Sequence, residues 1–192
     1  SAPVSGSCGV PGLAVSLAAS GAPGGPLRAR TSMTASGAAV ALQSPPPSDT
    51  RNRYFGASSG TGFWDRISFG GLAPAAIRFN YFLDGTFATT VSASAPTYAS
   101  AYMNLGFSAS ETAGVPGTWT QLFVDGIIGS TSQSRSIAQY GFYDYRLSGG
   151  TFLDFLVSIN TWVNVGSGVG TAGAPIWASG TSDFSHTALF GI

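Results

Sequence analysis

The only histidine, His186, sits in the run Ser182-Asp183-Phe184-Ser185-His186, where an acid, hydroxyls and an imidazole crowd together as they do around a hydrolytic nucleophile. In an extended strand Asp183 and Ser185 point to one face and His186 to the other, so nucleophile, base and orienting acid cannot converge from adjacent positions. We read His186 as a strand or turn residue with a satisfied hydrogen bond, and expect no enzyme. One histidine and one cysteine, Cys8, far apart in the chain, cannot make a zinc or copper site of usual ligand count within one subunit. The eight carboxylates (Asp49, Asp65, Asp84, Glu111, Asp125, Asp144, Asp154 and Asp183) form no D-x-D loop, and a structural calcium is the one cofactor left open. Asp144 and Asp154 as a glycosidase pair are weighed against solvated residues flanking a turn, and the latter reading is preferred. Cys8 cannot close an intramolecular disulfide; it is either an unpaired thiol or a cross-link between two chains.

The aromatic residues, 12% of the chain, are the stronger lead. Trp162 falls on the polar register of its segment with Asn160 and Asn164, so it is expected to be exposed or covered by a partner. A tryptophan beside asparagines suits a sugar-binding face, where the ring stacks on a pyranose and the amides bond its hydroxyls. It suits a subunit interface equally, and packing beneath an N-terminal arm is a third reading. Tyr140, Tyr143 and Tyr145 form a second cluster assigned to the same candidate surface.

Charge narrows the partners. Only 8% of residues are charged, net charge is zero, and all eight basic residues are arginines; there is no lysine. Lysine commonly keeps strand edges apart, so its absence from a strand-rich chain favours contact with other copies or a matrix. Dispersed arginines make no basic stripe, and nucleic acid is not an expected partner. No apolar run approaches the roughly 20 residues that span a bilayer. The sequence around Cys8 lacks a signal-peptide or lipidation pattern, and the chain starts like a processed mature protein.

These residues need a scaffold, and the patterning supplies a β one. Hydrophobic content of 44% and mean hydropathy +0.23 suit a single folded domain. Residues 1–60 are rich in Gly, Ala, Ser and Pro, with two strand-like stretches, Leu13–Ala19 and Leu27–Leu42, and a Pro45-Pro46-Pro47 run. This N-terminal arm is expected to be held by a sheet edge, its own or a neighbour's. Residues 61–192 alternate with period two. Asp84-Gly85, Asp125-Gly126 and Ser148-Gly149-Gly150 are read as hairpin turns. In the cleanest stretch Leu153, Phe155, Val157, Ile159, Val163 and Val165 point inward, predicting a central strand. The expected fold is all-β, an antiparallel two-sheet β-sandwich of jelly-roll type with an extended arm.

The closing stretch Gly180-Thr-Ser-Asp-Phe-Ser-His-Thr-Ala-Leu-Phe-Gly-Ile192, with Ala29-Arg30-Thr31-Ser32-Met33-Thr34-Ala35-Ser36-Gly37, resembles the Ala/Ser/Thr-rich β domains of exported proteins of the PEP-CTERM (exosortase-sorted) type of Gram-negative bacteria. A phrase similar to Thr181-Ser-Asp-Phe-Ser-His-Thr187, "S-x-D-F-x-x-T", opens a late strand in such domains. The family's Pro-Glu-Pro sorting signal is not found in these 192 residues. The resemblance implies export, residence at the cell surface or in the extracellular matrix, and a structural or adhesive role; it transfers no catalytic residues. The sequence therefore leads to a secreted structural subunit that self-assembles into a filament or surface layer as homo-oligomer or polymer. The alternative is a polysaccharide-binding or adhesive module using Trp162, Asn160, Asn164 and the tyrosine cluster.

Overall fold

Alternating side chains bury one face of the strands from residue 27 onward, and ten strands form two sheets. The computed structural model describes residues 4–10, 13–21, 27–36, 53–91, 97–115, 117–167 and 177–191. The strands are β1 (Val4–Val10), β2 (Leu13–Ser20), β3 (Leu27–Ser36), β4 (Arg53–Ser68), β5 (Ala76–Val91), β6 (Thr97–Ser110), β7 (Thr118–Gly129), β8 (Gln133–Arg146), β9 (Phe152–Ser167) and β10 (Trp177–Gly191). They form a six-stranded sheet, β1-β2-β3-β10-β5-β8, and a four-stranded sheet, β4-β9-β6-β7, each antiparallel throughout. Leaving aside β1 and β2, the facing orders β3-β10-β5-β8 and β4-β9-β6-β7 are those of the two sheets of a jelly roll. Among the described residues no helix is long and apolar enough to cross a membrane.

β9 is central, flanked by β4 and β6, and its inward residues Leu153, Phe155, Val157, Ile159, Val163 and Val165 are all buried. Opposite them β5 contributes Phe79, Leu83 and Phe87, and β10 contributes Phe184. The rings interlock across the layers: Phe79 lies 4.7 Å from Phe107 and 5.3 Å from Phe155, and Phe63 meets Phe155 edge-on at 5.9 Å. A hydroxyl triangle also joins the sheets. Thr31 Oγ1 lies 3.0 Å from Ser59 Oγ and 2.9 Å from Thr161 Oγ1, and Ser59 Oγ donates to the Arg30 carbonyl at 2.8 Å. Each hydroxyl is thereby satisfied without water, as a buried polar group requires.

The hairpin readings need correction. β5 runs straight through Asp84-Gly85, and β7 straight through Asp125-Gly126. Neither glycine has positive φ; among the described residues Gly114 and Gly149 do. Gly85 faces the core, where a Cβ would collide with the Phe184 ring, and a Cβ on Gly126 would collide with Tyr102. These glycines allow close approach of an aromatic ring rather than a reversal of the chain. Ser148-Gly149-Gly150 is a real turn, but it carries the chain from β8 in one sheet to β9 in the other.

β3 and β4, both beginning before residue 60, lie in the two sheets. β3 places Leu27, Ala29, Thr31 and Met33 in the interior, each at most 2% exposed, and pairs with β10 of its own chain from Trp177↔Ser36 to Ala188↔Leu27. β1 and β2 extend this sheet beyond β3. The Cys8 side chain and the Pro45-Pro46-Pro47 run lie outside the described residues.

Candidate functional site

Period two sends every second residue of β9 away from the core, and its neighbours in register complete the outer face of the four-stranded sheet. Trp162 is opposite Ser58 of β4 and Tyr102 of β6; the Tyr102 and Trp162 rings stack at 5.5 Å with an interplanar angle of 20°. The next outward row is Gly60, Asn160, Asn104 and Val124, and the one beyond it is Gly62, Ser158, Gly106 and Gln121. Asn164 is on the other side of Trp162, opposite Gly56 and Ser100, and donates to Ser100 Oγ at 3.2 Å. Asn104 donates to Gln121 Oε1 at 2.9 Å, while its own Oδ1 has no partner.

A β-bulge brings in residues that simple alternation misses. Pairing shifts from Leu105↔Phe123 to Gly106↔Gln121, so Leu122 is the extra residue. Its carbonyl accepts a hydrogen bond from Tyr81 Oη at 3.2 Å, and burial raises the Tyr81 pKa. Beyond the bulge Gln121 and Trp119 face outward. The Trp119 indole lies so close over Gly106 that a Cβ there would collide with it, yet Trp119 remains 48% exposed. In the same row stand Leu156 and Trp64, the latter 58% exposed. A cleft of about 270 Å³ borders this end of the face, lined by Trp64, Ser108, Ser110, Val115, Asp154 and Leu156. A second cleft, about 370 Å³ between β1–β2 and β4, is lined by small and aliphatic residues with no ring or charged group.

The tyrosine cluster does not join this face. Tyr140 lies on the outer face of the six-stranded sheet, 76% exposed and 4.3 Å from Phe82. Tyr143 and Tyr145 turn inward and are half-buried, Tyr143 packing 5.2 Å from Phe107. Alternation along β8 separates Tyr140 from the other two, and the thickness of the sandwich separates all three from Trp162.

Asp125, Asp144, Asp154 and Asp183 are occupied by arginines. Asp154 accepts two hydrogen bonds from Arg66 at 2.5 and 2.8 Å, and Asp144 two from Arg78 at 2.7 Å. These hydrogen bonds, aided by the positive charge, hold both carboxyls below their usual range against the opposing effect of desolvation. Asp154 and Asp144 belong to different sheets, which removes the glycosidase pair. Asp183 pairs with Arg30 at 3.2 Å, Ser182 Oγ donates to the Tyr102 carbonyl at 2.8 Å, and the His186 side chain lies outside the described residues. Asp125, taken as a turn residue, pairs with Arg135. Among the described residues no group of three His, Cys, Asp or Glu side chains could hold a metal.

Glu111 has a structural task. Its carboxylate accepts from Ser148 N at 2.7 Å, Ser148 Oγ at 3.0 Å and Gly150 N at 2.8 Å, tying the β6–β7 loop to the β8–β9 loop. Desolvation works to raise its pKa, but these donors outweigh it and the carboxyl lies below its usual range. A folded pKa below the unfolded value of about 4.3 gives stability that is fully present above that value and lost as pH falls through the folded one. Glu111→Gln is expected to cost about 1 kcal/mol at neutral pH. The cost should vanish once Glu111 is protonated in acid, as read by urea denaturation at both pH values. An equal loss at both would mean that the charge is irrelevant.

No family model and no curated protein matches this chain. Among solved structures it is similar to a chain described as "Structure of infectious bursal disease virus Gt strain", with TM-score 0.18 and 11% identity over 93% of this chain and 52% of that one. The chain thus spans about half the length of that relative, and so loose a superposition carries no argument about function.

Proposed function

We propose that this protein is a non-catalytic, extracellular adhesive module that binds polysaccharide across the outer face of its four-stranded sheet. The observation that carries the reading is the Tyr102–Trp162 stack set among Asn104, Asn160, Asn164 and Gln121 on a floor opened by Gly56, Gly60 and Gly62. Rings supply apolar platforms for the C–H faces of a sugar, and amides supply paired donors and acceptors for its hydroxyls. A location outside the cell follows from the resemblance to exported β domains. Affinity electrophoresis in gels carrying polysaccharides tests the reading: wild type should be retarded by at least one of them, and Trp162→Ala should lose about tenfold in affinity. Failure of the wild type to bind any glycan on a broad array would overturn it.

A second reading, self-assembly, is favoured by a separate observation. The edge strand β8 exposes Tyr140 and Phe142, with Arg78 over the Phe142 ring at 4.0 Å. Exposed aromatic residues on an open strand edge suit contact with a second copy. Sedimentation velocity over a concentration series reads that contact directly.

A further inference from the structure

We infer that the ligand of this face is a neutral, extended polysaccharide that lies along β6 and β9 and occupies two aromatic platforms at once. The inference rests on the glycan-binding reading and adds the length and charge of the ligand. The first platform is the Tyr102–Trp162 stack. The second is the Trp119 indole, lying over Gly106 on the same face. Tyr102 and Gly106 are four residues apart on β6, about 13 Å at the rise of an antiparallel strand. That separation exceeds one sugar ring and matches a short oligosaccharide.

Between the platforms the outward polar groups are Asn104, Asn160, Ser158 and Gln121, flanked by Gly60 and Gly62 on β4 and by the exposed Val124 on β7. They are amides, a hydroxyl and bare backbone, able to meet successive sugar hydroxyls along an extended chain. None of these outward positions is charged. Two arginines approach these rows and both are engaged: Arg66, in the row beyond Trp64 and Leu156, is held by both oxygens of Asp154, and Arg135, paired with Asp125, donates to the Gly126 carbonyl opposite Tyr102. A carboxylated or sulfated polymer would lose hydration over this stretch and meet no opposite charge. A neutral chain loses nothing comparable.

Titration calorimetry on the full chain tests this with neutral gluco-, manno- and galacto-oligosaccharide ladders from monosaccharide to hexasaccharide, and with an oligogalacturonate ladder. At least one neutral ladder should gain about tenfold in affinity once the oligomer reaches both platforms, and the affinity should be unchanged at high salt. Trp119→Ala should abolish that gain while leaving the shortest binding oligomers unaffected, and Trp119→Phe should restore part of it. Trp162→Ala should weaken short and long oligomers alike. Thermal unfolding of each variant confirms that the fold is kept, and the Phe variant keeps the test usable if the Ala variant is unstable. Preferential, salt-sensitive binding of the oligogalacturonates, or an affinity already complete at the monosaccharide with Trp119→Ala silent, would overturn the inference while leaving glycan binding in place. If no ladder binds to the wild type, the glycan-binding reading itself fails.

Discussion

Phe155→Ala is expected to cost about 3–5 kcal/mol of folding stability, a large share of the roughly 5–15 kcal/mol that holds a domain together. Phe155 is 3% exposed on the central strand β9 and meets Phe63 at 5.9 Å, Phe79 at 5.3 Å and Phe107 at 6.3 Å. Those partners come from β4, β5 and β6, hence from both sheets. Relaxation into the cavity would have to move both layers, so the void stays largely open. Trp162→Ala removes a ring of the same strand from the opposite face. Its chief loss is the Tyr102 stack, about 0.5–1.5 kcal/mol. Urea denaturation of the two variants measures the contrast, and equal losses would contradict the assignment of faces.

Faces of single strands were legible in the sequence, because period two reports directly which residues share a side. The six inward residues of β9 and its outward Asn160, Trp162 and Asn164 are placed as the alternation requires. Partnerships between strands were not legible. In the eight-stranded jelly roll, β6 and β7 are the one consecutive pair that hydrogen-bonds among the described residues; the other neighbours are distant in sequence. Asp-Gly is a strong hairpin signal in isolation, but Gly85 and Gly126 serve ring packing against Phe184 and Tyr102, a need that arises only once strands are assembled. The same nonlocality hid Tyr102 as the partner of Trp162. Trp119 and Gln121 escaped for a different reason, since the extra residue Leu122 shifts their phase by one.

Low charge takes on a physical meaning once the registers are known. Arg30 is directly opposite Asp183, Arg66 opposite Asp154 and Arg78 opposite Asp144. The pair exposed on both sides, Arg78–Asp144, adds little to stability. The stronger effect of the three pairs is on register, because a slip of one residue separates each pair and turns every side chain to the wrong face. The absence of lysine removes flexible cations from the strand edges, and Arg30, Arg66, Arg78 and Arg135 are engaged in pairs. That is compatible with the uncharged outer face around Trp162, where binding would depend on stacking and hydroxyl contacts rather than on salt.

The N-terminal region decides between assembly by strand exchange and a self-contained module, and two truncations separate them. Removing residues 1–20 deletes β1 and β2, whose described side chains are exposed or half-buried. The remaining chain is expected to fold, with β3 as the new edge of its sheet. Removing residues 1–45 also deletes β3, and with it Leu27, Ala29, Thr31 and Met33 from the interior. That loss strips the hydroxyl partner from Ser59 and Thr161, breaks the Arg30–Asp183 pair and leaves β10 unpaired along one side. Leu27 and Met33 at roughly 1.5–3 kcal/mol each, together with the lost hydrogen bonds to β10 and the hydroxyls, amount to a large share of the margin of a typical domain. The longer truncation should therefore unfold or aggregate, visible as lost β circular dichroism or as large species in sedimentation. A chain lacking residues 1–45 that remains a folded monomer, and that recovers assembly when a β3 peptide is added, would instead mean that β3 is exchanged between copies. In that case the sheet edge beside β10, rather than the Trp162 face, would be the principal contact surface of the protein.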